Sequence, residues 1–151
     1  METVKKIIHE HGGMVALKAD YIRIENEPYM RLMIEAIGPG PRGQDQISVA
    51  HYGEQNGDAM RDPEVVFEVS ETGHWCPVYF LNDYVPVEQE AIFRDPDTGA
   101  VMIRPRLLES LIEFTPTWDM NLREQGFLEA YMRQKEKARC ETALCPAPDA
   151  L

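Results

Sequence analysis

Apolar residues recur with helical spacing near both ends of this chain and alternate with polar residues in between. An amphipathic helix is predicted at about 3–11, where the i, i+3, i+4, i+7 pattern is carried by Val4, Ile7, Ile8 and His11. Gly12-Gly13 is suited to end this helix, because glycine tolerates the left-handed conformation that follows many helices.

The alternating part of the chain predicts six or seven β-strands. They are expected at about 21–25, 30–36, 47–52, 65–69, 75–81, 85–93 and 100–103. The turn sequence Asp95-Pro96-Asp97-Thr98-Gly99 separates the last two runs and is typical of a hairpin. Strands that follow one another with short turns favour an antiparallel meander.

Helical spacing returns in the last third of the chain. Leu107, Leu108, Leu111 and Ile112 predict a helix that Pro116 ends, and Thr117 is expected to cap another one. After an interruption at Gly126 the apolar stripe resumes. The sequence thus predicts an α+β fold, with a six- or seven-stranded antiparallel meander and terminal helices packed on one face. We expect one domain over 1–139 and a loose tail over 140–151, which is small-residue-rich and without pattern.

The composition is that of a globular protein. No run of 18 apolar residues is present in the 151-residue sequence, so no membrane span is expected. The N-terminal segment has Glu2 and Glu10 around a short apolar core, which does not resemble a secretory signal. Cys76, Cys140 and Cys145 form no C-x-x-C pair, which argues against a disulfide framework or structural zinc and favours a reducing cytoplasm.

The net charge of −11 is concentrated in one part of the sequence. Residues 54–97 contain eleven acidic side chains and two basic ones, Arg61 and Arg94. A negative field of this kind repels a nucleic-acid backbone, so direct nucleic-acid binding is disfavoured. Basic proteins and divalent cations are the partners expected instead, unless the acids merely solvate the outer face of the sheet.

The segment 50–64 is the richest in chemically versatile side chains. Asn56-Gly57 is a strong signal for a two-residue turn, but such a turn pairs Val49 with Glu64 and sets apolar positions against polar ones. A register with Val49 near Phe67 aligns the apolar positions. We therefore expect a broad loop over about 53–62, with His51 at its base.

Three interpretations of this segment remain open: a structural cluster, a divalent-metal or acid/base site, and a recognition loop. The candidate functional surface comprises His51, Tyr52, Glu54, Gln55, Asn56, Asp58, Arg61, Asp62 and Glu64. The candidate metal ligands are His51, Glu54, Asp58 and Asp62, although their spacing matches neither a calcium loop nor a zinc helix.

Other motifs add little. The prolines of Gly38-Pro39-Gly40-Pro41-Arg42-Gly43 remove amide donors that a phosphate cradle needs. Cys76 lies close to His74 in sequence, but with no third partner it is expected to be a small buried apolar residue. No nucleotide-binding or nucleophile-elbow motif is present in the sequence.

The segments 51–58 and 60–64 resemble a family of uncharacterised bacterial domains associated with plasmids, phages and integrative elements. Pro28-Tyr29-Met30, Arg104-Pro105-Arg106 and 118–127 are similar too, so the resemblance covers roughly residues 20–128. It implies a gene carried by a mobile element in a bacterial cytoplasm. It brings no established activity and no catalytic residue.

We favour a non-catalytic accessory or binding protein whose acidic surface engages a basic partner, such as a nucleic-acid-binding enzyme inhibited by charge mimicry. The alternative is a metal-dependent phosphoester hydrolase centred on His51 and the acidic loop 54–62. No cofactor is predicted beyond the divalent metal of that alternative. A homodimer through the sheet edge or the C-terminal helices is a further possibility.

Overall fold

A computed structural model describes residues 1–144, which form four helices and eight strands. In chain order the elements are α1 (Glu2–His11), α2 (Gly13–Ala19), β1 (Ile22–Asn26), β2 (Tyr29–Pro39), β3 (Asp45–Gln55), β4 (Asp58–Val69), β5 (Trp75–Asn82), β6 (Val87–Glu90), β7 (Ile92–Arg94), β8 (Val101–Ile103), α3 (Pro105–Glu124) and α4 (Phe127–Leu144).

Strands β1 to β6 form one antiparallel meander sheet in sequence order. All four helices contribute side chains to a core on one face of this sheet. The sheet residues of that core alternate along their strands, as in Ile22 and Ile24 of β1 or Ile47 and Val49 of β3. The predicted α+β meander with helices on one face is therefore confirmed. We call this side the helix face and the other the open face.

Polar contacts fix the helices to one another and to the sheet. The backbone N–H of Thr3 in α1 donates to both carboxylate oxygens of Asp119 in α3, each at 3.1 Å. This carboxylate binds the N-terminus of α1, where unpaired amide groups favour negative charge. The sequence-predicted helix at 3–11 is confirmed, whereas the short α2 after Gly12 was not predicted.

Helix α3 corrects the prediction that Pro116 ends a helix and that Thr117 begins another. It is one continuous helix of 20 residues that contains both Pro116 and Thr117. Leu111, Trp118 and Leu122 lie on both sides of the proline and are all buried in the protein. Their packing outweighs the one hydrogen bond that the proline removes.

The prediction of a single strand at 85–93 is also wrong, because this segment forms two short strands in different sheets. Its first part is β6 at the edge of the main sheet, and its second part is β7, which pairs with β8 in a separate two-stranded sheet. Ile92 of β7 packs against Val66, Cys76 and Val78 on the open face. The expected burial of Cys76 is confirmed, since only 9% of this residue is exposed.

Helix α4 extends beyond the predicted boundary of the domain. Residues 140–144 of the expected tail are helical, and 145–151, with Cys145, lie outside the described residues. Cys76 and Cys140 are free thiols. No helix within 1–144 has the length and hydropathy needed to cross a membrane.

Candidate functional site

The segment expected to be a broad loop is a tight β-hairpin. Gln55 of β3 pairs with Asp58 of β4, and the two residues between them, Asn56 and Gly57, have φ angles of 53° and 85°. Two positive φ values in succession are typical of a type I′ turn, for which Asn-Gly is the preferred sequence. The prediction of a broad loop over 53–62 is wrong. The acidic loop 54–62 on which the hydrolase alternative was centred is therefore two paired strands and a tight turn.

A β-bulge reconciles this turn with the apolar pattern. Tyr52 pairs with Arg61 and Ala50 with Glu64, so β4 has one more residue than β3 in this interval. The extra residue shifts the register, so that Val49 pairs with Val65 and not with Phe67, as was expected; Phe67 pairs with Ile47. The apolar positions of both strands therefore share the helix face, as the parity argument required, without a long loop.

The same geometry separates the predicted site residues into three places. His51 lies on the helix face and is only 8% exposed. Its ring packs against Phe127 and Trp118, with centroid distances of 5.3 and 5.8 Å. Its Nδ1 donates to the Met30 carbonyl oxygen at 3.1 Å. Burial lowers the pKa of His51, which favours the neutral ring.

Arg61 and Glu64 belong to a polar network on the open face. The Arg61 guanidinium donates from Nε to Asp83 Oδ2 and from Nη1 to Glu64 Oε2, each at 2.9 Å. Ser48 Oγ donates to the other Glu64 oxygen at 2.7 Å. Asp83 and Glu64 raise the pKa of Arg61, and the hydrogen bonds from Arg61 lower the pKa of Asp83. Asp62, at the bulge, accepts a hydrogen bond from Asn82 at 2.6 Å.

The four candidate metal ligands do not come together. His51 is in the core, Asp62 binds Asn82, and Glu54 and Asp58 are exposed near the hairpin tip. Within residues 1–144 no group of three or more His, Cys, Asp or Glu side chains has a geometry suited to a metal ion.

The remaining candidates lie along the end of the β3–β4 hairpin, beside and beyond the start of β2. They are Tyr52, Glu54, Gln55, Asn56 and Asp58. A concavity of about 380 Å³ separates this extension from the β1–β2 turn. We call it the hairpin notch, lined by Glu25, Glu27, Pro28, Tyr29, Met30, Arg31, Tyr52, Gly53, Glu54, Gly57 and Ala59.

The notch combines negative charge with aromatic surface. Its lining holds the carboxylates of Glu25, Glu27 and Glu54, of which Glu25 pairs with Arg23 at 2.7 Å, and Arg31 is its one basic residue. The Arg31 guanidinium lies 5.6 Å from the centre of the Tyr52 ring, in a cation–π arrangement. Tyr29, on the other strand, is 43% exposed.

Gly53 lets other side chains approach the base of the hairpin. A Cβ atom at this position would overlap the Tyr84 hydroxyl and would lie 3.3 Å from Met30 Sδ. A larger residue here would displace the end of the Tyr84 side chain, which reaches the backbone of Gly53 from the β5–β6 turn. This contact supports the hairpin where it leaves the sheet.

A second and larger concavity, of about 560 Å³, lies on the open face beside β7. We call it the open-face cleft. Its charged lining is balanced, because Glu64 and Glu90 face Arg61 and Arg94. Tyr79, also in the lining, donates to Glu88 at 2.9 Å, and burial together with this carboxylate raises the pKa of its hydroxyl.

The acidic residues of 54–97 are not one surface. Glu68 is fully buried and pairs with Arg42, while Glu64 and Asp83 pair with Arg61. Conversely, Glu25, Glu27 and Tyr29 of the notch were missed by sequence analysis. Tyr29 was named only as part of the resemblance at Pro28-Tyr29-Met30, and Glu25 and Glu27 had no signal beyond lying in or next to a turn. Their approach to the hairpin depends on the pairing of β2 with β3.

A family model described as a domain of unknown function (DUF6908) matches residues 2–128. The chain belongs to this family. The DUF6908 match contains the whole sheet, the notch and the cleft, and it ends just after the start of α4. No curated protein and no solved structure matches the chain. The description of the DUF6908 family assigns no activity, so the function must be inferred from the geometry.

Proposed function

We propose that this chain is a non-catalytic binding protein whose hairpin notch receives a basic segment of a partner protein. The observation that carries this proposal is the charge of the notch, where Glu27 and Glu54 line the same concavity as two tyrosines and one arginine, while the third carboxylate, Glu25, is paired with Arg23. Carboxylates and tyrosine rings both attract guanidinium and ammonium groups.

The charge of the two concavities favours the notch over the larger cleft. Two arginines balance two glutamates in the open-face cleft, and Arg61 is already held by Asp83 and Glu64. In the notch, Glu27 and Glu54 are exposed at the surface. Exposed carboxylates attract an approaching cation before it makes contact.

The contact of Arg31 with Tyr52 indicates how a partner residue is received. This ring holds one guanidinium on its face at 5.6 Å. Tyr29, Met30 and Tyr84 add exposed apolar surface near the base of the hairpin. An arginine side chain, whose planar head stacks on aromatic rings and whose stem is apolar, fits such a surface.

The experiment measures binding of a short oligoarginine peptide to the full chain by isothermal titration calorimetry. We expect binding that weakens as salt increases, because attraction between exposed charges is screened within about 10 Å at 0.1 M salt. The double variant Glu27→Gln/Glu54→Gln is expected to lower the affinity about tenfold, since each exposed contact contributes up to about 1 kcal/mol.

The matched control is Glu88→Gln/Glu90→Gln, which removes the same charge beside the open-face cleft. Affinity close to that of the unmodified chain is expected for this variant. Equal losses in both variants would show that the peptide senses only net charge, and a larger loss in the control would place the site at the cleft. Either result overturns the proposal. The bacterial mobile-element setting implied by the resemblance, and inhibition of a nucleic-acid-binding enzyme, remain predictions.

A further inference from the structure

Side chains cover the two edges of the main sheet. At β1, Gln134 of α4 accepts from the Glu25 backbone N–H at 2.7 Å and donates to the Arg23 carbonyl at 2.9 Å. At β6, Arg104 donates to the Glu90 carbonyl at 2.6 Å. Proteins commonly protect edge strands in this way, because unpaired backbone groups bind other strands.

Strand β8 has no such protection within the described residues. It is the one strand of residues 1–144 in which every residue is exposed. Val101, Met102 and Ile103 are 39%, 42% and 52% exposed, and none of the three is charged. An uncharged, apolar edge strand is typical of an interaction surface.

The pairing of β8 with β7 determines which backbone groups point outward. Ala100 accepts from the Asp95 N–H, and Arg104 donates to the Ala91 carbonyl, so these even-numbered residues bond towards β7. In an antiparallel ladder the bonding direction alternates along the strand. The N–H and C=O groups of Val101 and Ile103 therefore point away from β7 and are available to another strand.

We propose that β8 pairs in antiparallel orientation with β8 of a second copy of this chain, with Met102 near the twofold axis. In this register Val101 of one copy is opposite Ile103 of the other, and their outward groups form reciprocal hydrogen bonds. Val101 and Ile103 of each copy then meet those of the other on one face of the paired strands, and the two Met102 side chains meet on the opposite face.

The charges flanking β8 favour a second copy in this orientation. Asp97 precedes the strand, and Arg104 and Arg106 follow it. Antiparallel pairing brings the acidic flank of each copy close to the basic flank of the other, whereas parallel pairing in register places like charges together. Arg104 is engaged with Glu90 and Phe93, which leaves Arg106 as the cation nearest Asp97 of the partner.

The experiment measures the dimer dissociation constant of the full chain by analytical ultracentrifugation over a wide concentration range. A reversible monomer–dimer equilibrium is expected, and Ile103→Lys is expected to raise the dissociation constant about tenfold or more, because a charge is introduced at the paired edge. Val15→Lys is the matched control, since Val15 in α2 is 83% exposed. It is expected to leave the constant unchanged.

Charge exchange tests the orientation. Arg106→Asp and Asp97→Arg are each expected to weaken the dimer about threefold, and the double variant is expected to recover most of the loss. A chain that is monomeric at every concentration, or a dimer that Ile103→Lys leaves intact, overturns the proposal. A dimer weakened by Ile103→Lys but without recovery in the double variant overturns the antiparallel register. Circular dichroism of each variant checks that it is folded.

Discussion

Burial decides the role of His51, although its sequence neighbours suggest chemistry. The ring is enclosed by Phe127 and Trp118, and its Nδ1–H is used by the Met30 carbonyl. Because burial penalises the charged form, the pKa of His51 in the folded protein lies below its usual value. We therefore interpret it as a structural residue that anchors the hairpin to the helices.

This interpretation predicts a pH dependence of stability. The unfolded chain binds a proton at His51 near pH 6.5, before the folded chain does, so the free energy of unfolding decreases as the pH falls below that value. The slope contributed by one such group is at most about 1.4 kcal/mol per pH unit. Urea unfolding at several pH values measures it.

The variant His51→Gln is expected to reduce that slope between about pH 6.5 and pH 5. It is also expected to lower the overall stability, because its side chain fills the site less well. His74→Gln is the matched control, since it replaces an exposed histidine. A slope that is the same in the unmodified chain and His51→Gln would contradict the assignment.

Glu68 and Arg42 form an ion pair whose carboxylate is buried. Glu68 is fully buried, and its carboxylate accepts from the Arg42 backbone N–H at 2.8 Å as well as from the guanidinium. The pair fixes the loop after β2 against β4. The sequence placed Glu68 in an acidic block, and nothing in the sequence distinguishes it from an exposed carboxylate.

We expect Arg42→Met to lower the free energy of unfolding by about 2–4 kcal/mol, because it leaves a buried carboxylate without its cation. The double variant Arg42→Met/Glu68→Leu is expected to recover part of that loss. Lys18→Met is the matched control, since Lys18 and Asp45 pair at 2.8 Å with half-exposed side chains, and its cost should stay below about 1 kcal/mol. Chemical denaturation measures all three, and equal costs for Arg42→Met and Lys18→Met would contradict the argument.

At the scale of elements, strand parity could be predicted from the sequence but registers and turns could not. The alternation of Ile47 and Val49 with their neighbours correctly predicted that both side chains lie on the same, buried face of the sheet. It could not reveal the bulge opposite His51, because one extra residue in β4 satisfies both the tight turn and the apolar pattern. Asn56-Gly57 forms the tight turn that its sequence favours. The apolar pattern excludes this turn only if β3 and β4 pair without a bulge.

Helix α3 gives the opposite case, in which tertiary packing overrules a local signal. Pro116 lies in the exposed part of a continuous helix, where it removes a backbone donor. We therefore expect Pro116→Ala to raise the free energy of unfolding by about 1–3 kcal/mol, which thermal and urea unfolding would detect. Pro105→Ala is the control, because proline is favoured at the first helical position and no gain is expected there. A destabilised Pro116→Ala protein would show that the proline is required by the shape of α3.

At the scale of the whole molecule, the number of charges could be read from the sequence but their positions could not. Glu64, Glu68 and Asp83 pair with arginines, and so does Glu25, whereas Glu27 and Glu54 come to the same notch from the β1–β2 turn and the β3–β4 hairpin. The surface on which the proposed function depends is thus assembled from distant segments. It exists because the end of the β3–β4 hairpin and the β1–β2 turn line the same concavity.

The two proposed surfaces have no residue in common, so the two activities are expected to be separable. Ile103→Lys should bind the oligoarginine peptide as the unmodified chain does, and Glu27→Gln/Glu54→Gln should dimerise as the unmodified chain does. Calorimetry and ultracentrifugation on the same protein samples measure both properties. Loss of both in either folded variant would mean that the notch and β8 are coupled. If Ile103→Lys still binds the peptide and Glu27→Gln/Glu54→Gln still dimerises, the dimer presents two independent notches. A partner with two basic segments is then expected to bind more tightly than a partner with one.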